Sequence, residues 1–403
     1  MTKWSVVACD QYTSEPEYWQ DVEEIVGSNP STLRLTLPEI YLEEADVEER
    51  IKKINSNMDE LVTNDFFKEY KDSLIYLERT QADGKVREGL IGMVDLEDYS
   101  YEKDSTTLIR ATEKTVIERI PPRVKVRENA KLELPHIMIL IDDDKKEIIE
   151  KLKQKVTEKE KVYDFDLMKN GGHIKGYVLK DKDANETLTK LEKLADKELF
   201  NKKYNLKDKE VLLFAMGDGN HSLATAKACY ENLKKTMPED EYLKNPARYA
   251  LVELVNLHSP ALEFEAIHRV LFNVNTKELF KELEKFYDIS YEKTAGQKVD
   301  FVTSEKEGTF WIKNPKSNIP VGSLQLFLDE YLKKHEGKID YVHGEDVTKE
   351  LGHKAGNVGF ILEAMSKNEL FKTVTLDGAL PRKTFSMGHS NDKRYYLEAR
   401  RIK

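Results

Sequence analysis

Two periods of apolar spacing run along the chain. A period near 3.6 predicts helices over 15–28 (EPEYWQDVEEIVGS), stopping at Gly27, and over 49–62 (ERIKKINSNMDELV). The same period predicts charged helices over 144–166 and 183–203 and a more apolar one over 321–335. Alternation or short apolar runs predict strands over 4–9, 31–42, 73–80 and 87–96. The last two flank QADGK, whose Asp-Gly pair signals a hairpin. Further strands are expected over 134–144 (LPHIMILIDDD), 171–179, 300–304, 309–314 and 339–344. The segment 248–272 reads as strand, loop and strand. Together these predict an α/β chain with mixed sheets. The pattern changes divide it into an N-terminal α/β region (1–145), a helical insertion (146–205), a core segment (206–290) and a C-terminal α/β region (291–403).

One junction stands out. In VLLFAMGDGNHSLATAKACYENLKK (211–235) an apolar strand passes through Gly217, Asp218, Gly219, Asn220, His221 and Ser222 into a helix. A glycine turn there lets an anion approach the free N–H groups and positive end of the helix. The same pattern is also that of a tight turn capped by Asn220 or Ser222. It is neither a Walker loop nor a GxGxxG fingerprint.

Composition narrows the field. With 403 residues, 39% hydrophobic and 34% charged, and with 15 Phe, 19 Tyr and 3 Trp, the chain can bury a core. Its net charge of −10 argues against general nucleic-acid binding. Two distant cysteines, Cys9 and Cys229, fit a reducing compartment and form no zinc pair. No apolar run reaches the length of a transmembrane helix, and the start is not a signal peptide. These features predict a cytoplasmic protein acting on a small molecule, with no membrane or nucleic-acid partner; a homo-oligomer is compatible with them.

Two basic segments suit an anionic ligand. RIPPRVKVR presents Arg119, Arg123, Lys125 and Arg127 around a Pro-Pro turn. RKTFSMGHSNDKR gathers Arg382, Lys383, Thr384, Ser386, His389, Lys393 and Arg394. His136 reads as structural, whereas His268 is either a core histidine or a site residue.

The junction resembles the Asp-Gly-His-His-Arg box of a large bacterial and archaeal family of unknown function. That box is remotely similar to the phosphate-binding box of the ParB/sulfiredoxin superfamily, which includes kinases of free serine. The resemblance extends along the chain. STLRLTLPE supplies Pro38 and Glu39, IRATEKTVIER supplies Glu113, Thr115 and Arg119, EAIHRV supplies His268 and Arg269, and LPRKTFSMG supplies Pro381, Lys383 and Thr384. Asn220 and Ser222 stand where the family's box has His and Arg, and Thr112 stands for a His, which marks a divergent branch.

The resemblance implies a ParB/sulfiredoxin-like core with helical insertions and a C-terminal α/β extension. It implies phosphoryl transfer from a nucleotide or pyrophosphate to free serine or a similar small hydroxyl compound. Asp218, His221, Glu39 and Glu113 would be catalytic, with Asp218 holding Mg2+. Gly217, Gly219, Asn220, Ser222, Arg119, Arg123, His268, Arg269, Lys383 and Thr384 would bind phosphate. The alternative is a non-catalytic, nucleotide-binding regulatory protein of the ParB-like type.

Overall fold

The computed structural model describes residues 1–134 and 136–403; Pro135, within one expected strand, lies outside the described residues. The architecture is mixed α/β. Two compact units are present. The first comprises Met1–Ala111, Thr115–Leu262 and His389–Lys403; the second comprises Thr112–Lys114 and Glu263–Gly388. The segment 206–290 thus contributes to both. No helix among the described residues is long and apolar enough to cross a membrane.

In the first unit nine strands form one sheet. Its order is Tyr99–Ser100, Ile109–Arg110, Phe214–Asp218, Met138–Ile141, Tyr249–Asn256, Val86–Asp95, Ser73–Thr80, His173–Lys180 and Lys161–Asp166. The expected hairpin is present: Thr80 pairs with Val86, and Gly84 takes the positive φ its turn needs. Met138–Ile141 is buried throughout, as a central strand requires, and runs parallel to Tyr249–Asn256. The second unit has its own sheet, in the order Ile289–Ser290, Glu307–Ile312, Gln297–Thr303, Val358–Ile361, Phe264–Phe272 and Lys338–His343, with Phe385–Met387 paired to the start of Phe264–Phe272.

Four expectations are corrected. Residues 4–9 form no strand; Val7 makes a single bridge to Tyr395. Residues 31–42 alternate as a strand would but contain two 3-10 turns, Thr32–Arg34 and Glu39–Tyr41. Ser31 caps the first by accepting from the Leu33 amide, and the Thr32 hydroxyl donates to the distant Trp4 carbonyl, so side-chain hydrogen bonds replace a sheet partner. The helix expected over 144–166 is a 3-10 segment, Glu150–Gln154, followed by strand Lys161–Asp166, which zips onto His173–Lys180. The Pro-Pro segment is not a turn but helix Ile120–Arg127, with its prolines in the first turn, where a missing N–H costs nothing.

The sheet is tied to the C-terminal segment by a buried ionic cluster. Glu253, wholly buried, accepts from Arg87 Nε at 3.1 Å and Arg394 Nη1 at 2.6 Å. Arg87 also donates to the Asp392 carbonyl at 2.7 Å, and Arg79 donates to the carbonyls of Gly171, Asn391 and Lys393. Gly89 makes room for the cluster: a Cβ there would meet Glu253 Oε1 at 2.6 Å. Burial opposes the Glu253 charge, but Arg87 and Arg394 outweigh it and hold its carboxyl below the ordinary range.

Glu253→Gln leaves two buried guanidiniums without their carboxylate and is expected to cost about 3–5 kcal/mol in chemical denaturation. A depressed carboxyl stabilises the fold above its unfolded value of about 4.3, and the contribution is lost as pH falls through the folded value. The acid-induced loss of stability below about pH 4 is therefore expected to be smaller in Glu253→Gln than in the native chain.

Candidate functional site

The junction is built as the sequence predicts. Strand Phe214–Asp218 hands over at Gly219, whose φ is 78°, to helix Asn220–Lys234. Gly219 is required twice over, because it takes a left-handed conformation and a Cβ there would meet Ile137 Cα at 2.9 Å. Neither Asn220 nor Ser222 caps the helix; Gly219 is the N-cap and no side chain bonds the first turn. The leading N–H groups are consequently left for another acceptor. Asn220 Oδ1 and His221 Nε2 are buried and have no hydrogen-bond partner among the described residues.

Helix Ile120–Arg127 packs on this helix and brings Arg119 and Arg123 close to His221. Burial, Arg123 and Arg119 push the His221 imidazole down to about 4, so it is neutral at physiological pH. Arg123 donates to the Arg119 carbonyl at 2.6 Å and forms a salt bridge with Glu39. Glu39 is placed by its own amide, which donates to the Cys9 carbonyl at 2.8 Å. Arg119 is exposed. The box helix, Glu39 and the 119–127 segment thus adjoin one another within the first unit.

Asp218 differs from expectation. Its Oδ1 accepts the Gly219 amide at 3.0 Å, and its Oδ2 faces Lys393 Nζ at 3.3 Å. Asp10 is a second carboxylate in this environment. Burial works against its charge, but His136, the Gln11 amide and Lys393 outweigh burial and hold its carboxyl low. No group of three or more His, Cys, Asp or Glu side chains that could hold a metal occurs among the described residues. A magnesium ion held through Asp218 would use one carboxylate together with substrate phosphate oxygens, and would displace the Lys393 ammonium from Oδ2.

His136, read from the sequence as structural, lies at the centre of a hydrogen-bonded chain. Its Nε2 bonds with Ser222 Oγ at 3.0 Å and its Nδ1 with Tyr396 Oη at 2.7 Å, while Cys9 N donates to Tyr396 Oη at 3.2 Å. Beside this chain is a cavity of about 150 Å³. Ser222, His136, Glu39 and Arg123 line its polar side, and leucines and Met58 line much of the rest. Sequence reading missed Asp10, His136 and Tyr396 and left Lys393 among basic loop residues. Their common signal is position: each flanks an apolar run, which by itself does not separate a site from a strand end.

The remaining expected residues lie in the second unit. Thr384 N donates to Glu113 Oε1 at 3.2 Å, and burial raises the Glu113 carboxyl despite Lys383, Thr384 and Arg269. Arg269 is wholly buried and spends its guanidinium on Gln325 and on the carbonyls of Ile267, Arg382 and Lys383. His268 accepts from the Leu362 amide at 3.2 Å. In this arrangement Arg269 holds the 381–384 turn through the Arg382 and Lys383 carbonyls, and His268 Nδ1 holds the Leu362 amide, so most of the Arg269 guanidinium is taken up within its own unit.

The His221 geometry makes a titration prediction. Its imidazole is expected to protonate near pH 4 by NMR, and Arg119→Ala is expected to raise that midpoint by removing a nearby positive charge. Because the folded value lies below the unfolded value of about 6.5, the unfolded state binds more protons between the two, and this group lowers stability as pH falls from about 6.5 toward 4.

Comparison with curated proteins found no match. Among solved structures, the chain is similar to a free serine kinase variant in complex with AMP, at 10% identity over 76% of this chain and 90% of that one, with a TM-score of 0.41. It is similar to a conserved hypothetical protein from Pyrococcus furiosus, at 10% identity over 78% of this chain and 95% of that one, with a TM-score of 0.38. It is also similar to SbnI with C-terminal truncation from Staphylococcus aureus, at 7% identity over 74% of this chain and 82% of that one, with a TM-score of 0.39. Residues 1–331 match the family described as a protein of unknown function, DUF1015, and the chain belongs to that family.

Proposed function

We propose that the first unit is a phosphotransferase, taking a phosphoryl group from a nucleotide or pyrophosphate and passing it to a small hydroxyl compound. The observation that carries the reading is the uncapped start of helix Asn220–Lys234. There His221 Nε2, a buried nitrogen that can donate, has no partner among the described residues, and Arg119 and Arg123 lie close by. A buried donor without a partner calls for an explanation, and a bound anion is one that also suits the surrounding positive charge. A phosphate suits this place because the helix end and the two arginines favour negative charge.

In this reading His221 is a neutral hydrogen-bonding group on the transferring phosphoryl. Lys393, positioned by Asp218, supplies positive charge. Glu39, on the cavity wall, accepts the proton of the acceptor hydroxyl. The acceptor oxygen forms the new bond to phosphorus as the bond to the donor's bridging oxygen breaks, and the leaving group keeps that electron pair. Positioning and charge stabilisation carry such a transfer. The sequence resemblance to serine kinases makes free serine the first acceptor to try, and a ParB/sulfiredoxin-like origin of the core is part of the same proposal. The Lys393–Asp218 pair gives the second reading its support, because a box whose carboxylate is already neutralised can hold a nucleotide as a switch without transferring phosphate.

The full chain incubated with a panel of small hydroxyl compounds that includes serine, and with nucleotides or pyrophosphate and magnesium in solution, is expected to give a phosphomonoester signal in phosphorus NMR. Asp218→Asn and Glu39→Gln are each expected to slow its appearance by about 100-fold or more while leaving the unfolding midpoint nearly unchanged. Tight nucleotide binding with no turnover from any donor would replace this reading with the switch.

A further inference from the structure

The cavity beside the box has a chemistry of its own. Its charged groups are already matched: Glu39 pairs with Arg123, and Glu133 pairs with Arg127 at 2.5 Å and with Arg400 at 2.6 Å. Two of its hydroxyls are spent on backbone, Thr36 on the Thr32 carbonyl and Thr225 on the His221 carbonyl. Burial and the neighbouring Asp10 and Glu39 carboxylates keep the Cys9 thiol protonated. Much of the remaining wall is apolar, including Leu35, Leu37, Met58, Val126, Leu132 and Ile137. A zwitterion placed here would bury two charges for which the wall has no unpaired partner, at high cost. An apolar body meets no such cost, and about 150 Å³ is the size of cavity that takes a benzene ring.

We propose that this cavity binds a small alcohol with an apolar body, its hydroxyl directed at Ser222 Oγ, whose other bond is to His136 Nε2. On the phosphotransferase reading, on which this role rests, that alcohol is the acceptor. Its hydroxyl oxygen forms the new bond to phosphorus and its proton passes to Glu39. Free serine is then a poor acceptor and an apolar alcohol a good one.

The test uses benzyl alcohol and L-serine as probes on the full chain. Benzyl alcohol is expected to bind about tenfold or more tightly than L-serine by titration calorimetry, since each matched apolar group is worth that much discrimination. The Met58 methyl resonance, identified through Met58→Leu, is expected to shift on saturation with benzyl alcohol. Val126→Phe, which fills the cavity, is expected to abolish the shift while leaving pyrophosphate binding unchanged. A Met58 methyl that does not move at saturation, or L-serine binding as tightly as benzyl alcohol, would overturn the proposal. Benzyl alcohol binding without phosphoryl transfer to any alcohol would sink the phosphotransferase reading and leave the cavity assignment standing. Transfer to serine without benzyl alcohol binding would do the reverse.

Discussion

The first unit depends on one buried carboxylate. Glu253 sits on a central strand, wholly buried, and its charge is tolerable only because Arg87 and Arg394 meet it there. Arg87 comes from the neighbouring strand, but Arg394 comes from the far end of the chain. The cluster therefore fixes the C-terminal segment against the sheet, and Arg79 fastens it further through the carbonyls of Asn391 and Lys393. The residues adjoining that anchor reach the site: Lys393 faces Asp218, and Tyr396 bonds with His136. A purely apolar contact would bury this segment but would not set its register. The directional bonds of two guanidiniums on one carboxylate and on successive carbonyls do both.

Much of the fold is legible because it is local. The hairpin at 80–86 declares itself through Asp-Gly, helix Pro16–Val26 ends at Gly27, and the handover at Gly219 follows from a glycine that must approach Ile137. The misreadings have a shared cause. Residues 31–42 alternate because Leu33, Leu35 and Leu37 all pack into a core, yet the Ser31 and Thr36 hydroxyls bond the backbone of the same segment and no strand among the described residues pairs with it. Alternation reports burial on one side and does not report whether a neighbouring strand exists. The segment 144–166 fails for the complementary reason. Its lysines and glutamates favour helix, but Tyr163 faces Gly176 across a strand pair, and that tertiary contact outweighs the local preference.

The site is legible in part. The box, Glu39, Arg119 and Arg123 are found together because each belongs to a short motif whose chemistry shows in its residue types. Asp10 and His136 escape because a single polar residue at the end of an apolar run looks the same whether it caps a strand or faces a ligand. His268 and Arg269 show the opposite error. A His-Arg pair in an apolar strand invites an anion, yet the Arg269 guanidinium is consumed by carbonyls of its own unit. Residue type gives the capacity to bind a phosphate; only the accounting of partners shows whether that capacity is free.

That accounting gives sense to the two departures in the box. Asn220 and Ser222 replace residues that, in the resembling family, bring a histidine and an arginine. Here positive charge around the box comes from Arg119 and Arg123 on an adjoining segment and from Lys393 on the anchored C-terminal one. A guanidinium at position 222 would compete with Arg123 for Glu39 on the polar side of the cavity; a serine there is small, uncharged and already bonded to His136. Moving the charge off the box helix therefore leaves its outer end suited to an anion and its cavity side suited to an apolar body. The first turn of the box helix, with Asn220, the neutral His221 and Ser222, carries no side-chain charge of its own.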